Sequence, residues 1–269
     1  MNSNILTDVN EYLVRISDHA LMELVLAAVE GYTVKEAGHS SKPGRKPQFV
    51  ETIGLLWGHT ARVPYNRLLL NVENVTVDAM ANKKSGSVLP AEGEFVKRDF
   101  ITSFWPHLQF LGEFHSHPYK DINDVKACQG YLFSPGDRKR IETNIDEGEP
   151  YLLDDPRVHA VVTVASLKRR VLAPPMHITE NTIEFTLGAF RFWITVYVAC
   201  TLRCEQNESG KIIINRDPEW PSPEKVFNNT IFDNFTFPDV SLQIPSLVGL
   251  EELSQLGKMK GKEFHPGDI

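Results

Sequence analysis

Residues 113–118 read Glu113-Phe114-His115-Ser116-His117-Pro118, and Ser134-Pro135-Gly136-Asp137 follows at the start of an expected helix. Side chains alternate faces along a strand, so His115 and His117 point one way and Ser116 the other. Two imidazoles at neighbouring same-face positions can share one cation. With Ser134 as N-cap and Pro135 at the first helical position, Asp137 falls in the first turn, where a carboxylate complements the helix dipole. Two imidazoles and a carboxylate, with a fourth position left to water, form the donor set of a hydrolytic zinc site. Each piece alone is bland: a His-x-His pair commonly packs or faces solvent, and Ser-x-x-Asp commonly only caps a helix.

Upstream, Phe49 to Gly58 is a mostly apolar run read as a strand, with Glu51 inside it. A carboxylate there is costly unless paired, poised for proton transfer or solvated at a strand end. Before it, Ile16 to Val29 has Leu21, Leu24, Val25 and Ala28 at helical spacing, Ser17 as N-cap, and Gly31 where a C-terminal glycine is expected. Lys35 to Gln48 and Asn82 to Glu94 read as loops. Arg67 to Ala79 alternates as a strand, Val96 to Phe104 reads as a short helix, and Gln109 to His117 is the strand with the two histidines.

Downstream, Tyr119 to Phe133 shows no period and reads as a linker, and the helix opened by Ser134 is expected to run to about Asn144. Val158 to Ala165 is a core strand. Thr182 to Cys204 and Lys211 to Asn215 read as strands, with the Asn207-Glu208-Ser209-Gly210 turn between them. From Pro218 the composition shifts to Pro, Asn and Phe, with a helix candidate at Leu247 to Leu256. Trp220, Phe227, Phe232, Phe235 and Phe237 there either pack on their own domain or dock a partner or second copy.

The bulk composition narrows the classes. A chain of 269 residues with 42% hydrophobic and 23% charged residues is ordinary for a globular protein. A formal charge of −7 argues against a nucleic-acid partner. The run from Phe185 to Cys200 is short and interrupted by Gly188 and Arg191, so it reads as a buried strand pair rather than a membrane span. Three cysteines (Cys128, Cys200 and Cys204) and no basic-then-apolar opening favour the reducing cytoplasm.

Together, Glu51-Thr-Ile-Gly54-Leu-Leu-Trp-Gly58, His115-Ser-His117-Pro118 and Ser134-x-x-Asp137 resemble the JAMM (MPN-plus, or JAB) metalloprotease family. The resemblance spans about residues 12 to 200. It implies an α/β (α+β) MPN/JAB-type fold, with a mixed curved sheet flanked by helices, similar to cytidine-deaminase-like arrangements. It further implies a zinc ion held by His115, His117 and Asp137, with Glu51 as general base and Ser134 steadying the oxyanion. The substrate implied is a ubiquitin or ubiquitin-like conjugate cut after its glycine tail. A peptidase for sulfur-carrier or cell-wall-type substrates and a non-catalytic scaffold of the same fold are the alternatives.

On this basis residues 1–216 form the catalytic domain and 217–269 an extension. One departure stands out: sixteen residues, 118 to 133, separate His117 from Ser134, more than the family pattern has. An insertion at 119–133 either bulges outward, at small entropic cost, or walls or lids the cleft. Asp121 and Asp124 are the competing carboxylates. Glu113 shares the histidine face and is a candidate to orient an imidazole.

Overall fold

Strand β6 (Gln109–Asp121) lies at the middle of a nine-stranded mixed sheet, and the other elements can be placed from it. The computed structural model describes residues 11–33, 49–79, 81–84, 87–89, 94–137, 156–171, 173–199, 205–206, 212–213 and 239–249. In chain order the elements are β1 (Glu11–Ile16), α1 (Asp18–Thr33), β2 (Ile53–Val63), β3 (Arg67–Val77), β4 (Asn82–Lys84), β5 (Ser87–Leu89) and α2 (Glu94–Phe104). After β6 come α3 (Ile122–Cys128), β7 (Arg157–Ser166), β8 (Met176–Thr179), β9 (Thr182–Leu187), β10 (Phe190–Ala199), β11 (Glu205–Gln206), β12 (Ile212–Ile213) and β13 (Asp239–Gln243).

The sheet order is β13-β1-β3-β2-β6-β7-β10-β9-β8. The β13–β1, β1–β3 and β6–β7 pairs are parallel and the rest antiparallel. Register shifts interrupt β2 against β3 at Trp57/Gly58 and against β6 at Leu56/Trp57. Such bulges increase local twist. The sheet curls until its ends meet: Leu242 N–H of β13 donates to Glu180 O at 2.8 Å, and His177 Nε2 lies 3.0 Å from Leu242 O. Residues 239–243, within the extension of the sequence division, therefore supply an outer strand of the same sheet.

The core lies in the concavity under α1. Leu24, Val25 and Ala28 pack there against Leu70, Phe114 and Val162. β7 is buried along most of its length and β6 from Leu111 to His117 apart from half-buried Glu113, as a parallel pair in the centre of a sheet must be. Val158 to Ala165 thus takes its expected place in β7, and residues 185–199 of the expected Phe185 to Cys200 strand pair fall in the β9–β10 hairpin.

Four readings are corrected. Helix α1 runs past Gly31 to Thr33, so Gly31 does not cap it. A Cβ at Gly31 would meet Val50 O at 2.5 Å, and Val50 N–H donates to Gly31 O at 3.1 Å. The glycine is there so that the helix can lie against the chain just before Glu51. Second, β2 starts at Ile53, so Glu51 sits in an extended lead-in rather than inside a strand. Third, the linker contains α3, capped at its start by the Asp121 carboxylate on Asn123 N and Asp124 N. Fourth, Asn82 to Glu94, read as a loop, contains the antiparallel β4–β5 pair, and β1 and β8, unread in the sequence, are strands.

Ser17 caps α1 as expected, its hydroxyl accepting from Ala20 N at 3.2 Å. Among the described residues no helix is long and apolar enough to cross a membrane. Lys35 to Gln48, most of the expected helix beyond Asp137, Cys200, Cys204, the 207–210 turn and the tail aromatics lie outside the described residues. So does most of the Leu247 to Leu256 candidate, of which residues 245–249 are helical.

Candidate metal centre

Alternation along β6 sends His115 and His117 into the same buried space. A helix opens at residue 135 and brings Asp137 to them from the other side. Ser134 and Asp137 cap that helix reciprocally: Ser134 N–H donates to Asp137 Oδ2 at 2.7 Å, and Asp137 N–H donates to Ser134 Oγ at 3.2 Å. The carboxylate is thereby fixed by the backbone it caps. Accepting one bond leaves the Ser134 hydroxyl its own proton to donate.

The three donor groups converge closely. His115 Nε2 is 3.1 Å from His117 Nε2 and 3.0 Å from Asp137 Oδ1, and His117 Nε2 is 3.4 Å from Asp137 Oδ2. Ligand bonds of about 2.0 Å in a tetrahedron put donor atoms about 3.3 Å apart. The two histidines reach different oxygens of Asp137, and taken one atom per residue the three donors lie within 4.8 Å of one another; two imidazoles and a carboxylate are the right donors for a divalent transition metal. The residues present fit such an ion.

Electrostatics treat the two imidazoles in opposite ways. Burial pushes His115 below its ordinary value, leaving a neutral imidazole with a lone pair to offer. Burial also acts to lower His117, but the hydrogen bond and charge of Asp137, with the Gly130 carbonyl and Glu51, outweigh it and raise it. Burial alone would raise Asp137, yet the hydrogen bonds and charges of the two histidines hold it well below the usual carboxylate range. Glu51 is raised to about 7, chiefly by burial, with His117 pulling down and Asp137 pushing up. Its carboxyl therefore lies within electrostatic reach of two of the three donors, poised between its protonation states at neutral pH.

The backbone around Glu51 is tied to the histidine strand. Thr52 N–H and Thr52 Oγ1 each donate to Ser116 Oγ at 2.9 Å, and Ser116 N–H donates to Thr52 O at 2.8 Å. Ser116, pointing away from the metal face, thus holds the neighbour of Glu51. On the metal side, Phe133 stacks on His115 with ring centres 6.0 Å apart and on Tyr197 at 4.1 Å.

The structure therefore brings together His115, His117, Asp137 and Ser134, with Glu51 close by. The competing carboxylates are otherwise occupied: Asp121 caps α3 and Asp124 is exposed in that helix. Glu113 Oε1 lies 3.4 Å from His159 Nδ1 on the adjacent strand, and its charge is also felt at His115. His19 and His107 are exposed, and His59 lies 3.3 Å from Glu73.

Sequence reasoning missed the Ser116–Thr52 tie, Phe133 and the Gly130 carbonyl, on which His117 Nδ1 sits at 2.9 Å. The signal for the last was Thr163, a hydroxyl in the otherwise apolar stretch 160–165 of β7, which also bonds Gly130 O. Compared with known proteins, the chain matches no family model and no curated protein.

Proposed function

We propose that this chain is a zinc-dependent metallo-isopeptidase of the JAMM (MPN-plus, JAB) type, with the curled mixed sheet as its MPN/JAB-type scaffold. The observation that carries the reading is the spacing of the His115, His117 and Asp137 donor atoms, 3.0–3.4 Å apart, with the Glu51 carboxyl in their field. Those three side chains would hold the ion. When bound, zinc supplies Lewis acidity that brings the pKa of water in its remaining position towards 7.

Glu51 takes the proton from the attacking water, as a carboxylate within electrostatic reach of His117 and Asp137 can. It returns that proton to the leaving amine. Ser134, fixed by its bond from Asp137 N–H, turns its free hydroxyl proton to the oxygen that gains charge at the scissile carbonyl. The substrate in this reading is the bond after the glycine tail of a ubiquitin or ubiquitin-like protein, a tail thin enough to pass close to the donor set. The cytoplasm, where such conjugates occur, is part of the same proposal.

The test pairs metal analysis with a panel of ubiquitin-like fusions and isolated peptides read by mass spectrometry. The expected result is one zinc per chain, cleavage after a diglycine terminus by the wild type, and a Glu51→Gln variant that keeps its zinc and cleaves nothing. Full turnover by Glu51→Gln removes Glu51 from the mechanism. Cleavage of peptides alone moves the substrate to the peptidase class. A wild-type chain that takes up no zinc is the scaffold.

A further inference from the structure

We infer that the 119–133 insert is a built footing of the metal centre rather than a lid, and that Thr163 and Gly130 are positioning residues that set which nitrogen of His117 faces the ion. This rests on the metal-site reading above. A carbonyl oxygen can only accept, so His117 Nδ1, 2.9 Å from Gly130 O, carries the ring proton and Nε2 is left with the lone pair. Nε2 is also the nitrogen that faces His115 Nε2 and Asp137 Oδ2. A second partner on the far nitrogen is how proteins orient a ligating imidazole.

Gly130 O is itself held in place. Thr163 Oγ1–H donates to it at 2.9 Å, and Thr163 is the register partner of His117 on the adjoining strand, with no exposed surface. One oxygen thus joins the ligand on β6 to a hydroxyl on β7. The backbone on the other side is fixed by α3. Gln129, in the left-handed conformation at φ 50°, turns the chain at the helix end, and Gly130 N–H donates to Val125 O at 2.9 Å. A Cβ at Gly130 would lie 2.3 Å from Cζ of Tyr119, so a side chain there would force that ring to shift.

The helix itself is anchored. Val125 is fully buried against Ala165 and Trp193, and Tyr119, Ile122 and Tyr131 pack on the same cluster. A lid is drawn from segments with few buried contacts, since it must open at little cost. This insert has a capped helix and an apolar footing of its own. Its last turn delivers a carbonyl to the metal ligand. The extra residues between His117 and Ser134 are spent on holding the imidazole.

Thr163→Val removes the hydroxyl at nearly constant volume, and Thr163→Ser keeps it. The first readout is the tautomer of His117 in metal-free protein labelled with 15N-histidine, recorded at alkaline pH by long-range proton–nitrogen correlation. Wild type and Thr163→Ser are expected as the Nδ1–H form and Thr163→Val as a mixture. The second is zinc affinity by chelator competition, expected to fall about 10–100-fold in Thr163→Val and to return to within a few-fold of wild type in Thr163→Ser. An Nε2–H tautomer in wild type overturns the inference without any variant. Equal zinc affinity and unchanged tautomer in a folded Thr163→Val overturn it while leaving the metal centre standing. A wild type that binds no zinc overturns both.

Discussion

The Ser116 hydroxyl accepts the Thr52 backbone N–H at 2.9 Å, so the residue between His115 and His117 also fixes the neighbour of Glu51. Strand alternation makes this possible: the face turned from the metal is the face turned to the lead-in of β2. The proposed ligands and the proposed base are thus tied through three hydrogen bonds between residues 64 apart in the chain.

Ser116→Ala removes the acceptor of two buried donors on Thr52. Leaving them unsatisfied costs about 1–3 kcal/mol, to be read from urea unfolding of the metal-free protein. Zinc stoichiometry is expected to stay at one, because both imidazoles remain, while kcat falls about 10-fold or more as Glu51 loses its fixed position. Loss of zinc with unchanged kcat per loaded chain would reverse the assigned roles.

Gly31→Ala drives a Cβ towards Val50 O, 2.5 Å away, and the backbone on that side cannot rotate aside. Overpacking of this kind costs about 1–3 kcal/mol. The same displacement moves the segment bearing Glu51, so cleavage is expected to drop together with stability. A thermal unfolding scan and a turnover assay on the same preparation check both. An alanine as stable as wild type would mean that α1 does not bear on this segment.

The Glu51 carboxyl, raised from 4.5 to about 7 by burial, makes metal-free stability depend on pH. Its folded value lies above its unfolded one, so its contribution is full below about 4.5 and is lost as pH rises through about 7. Relative to Glu51→Gln, which cannot ionise, the wild type is expected to lose about 1–2 kcal/mol over that window, partial exposure having reduced the full effect. Denaturant titrations at several pH values measure the difference. Parallel pH profiles for the two proteins would place Glu51 in water.

Zinc at 100 times its dissociation constant is expected to stabilise the wild type by about 2.7 kcal/mol, and a chelator to remove that gain. Asp137→Ala takes away a donor 3.0 Å from His115 Nε2, and its melting temperature is expected to be indifferent to both additions. Calorimetry with and without zinc distinguishes the two. An Asp137→Ala protein that is stabilised as much as wild type would show that the carboxylate is not a ligand.

Local pattern foretold which side chains would lie together better than it foretold the scaffold. The reading that paired His115 with His117 needed only strand alternation, and the one that put Asp137 near them needed only the Ser134-Pro135 helix start, both short-range rules. Val158 to Ala165 was recognisable because a run of β-branched residues has few other uses. Gly31 misled because a glycine needed for close approach and one that ends a helix look identical in sequence. Helix α3 is only seven residues long, too short for a period to show, and its stability comes from Val125 against Trp193, which no local pattern contains. β1 and β13 lie 228 positions apart, Glu11 facing Asp239, and parallel pairing at that separation leaves no mark on either segment.

The most direct measurement of the central claim is anomalous diffraction at the zinc absorption edge from crystals grown with zinc. The account predicts one strong peak within bonding distance, about 2.0–2.2 Å, of His115 Nε2, His117 Nε2 and an Asp137 carboxylate oxygen. A difference map with no peak there, and with Asp137 turned away from the two imidazoles, would contradict it.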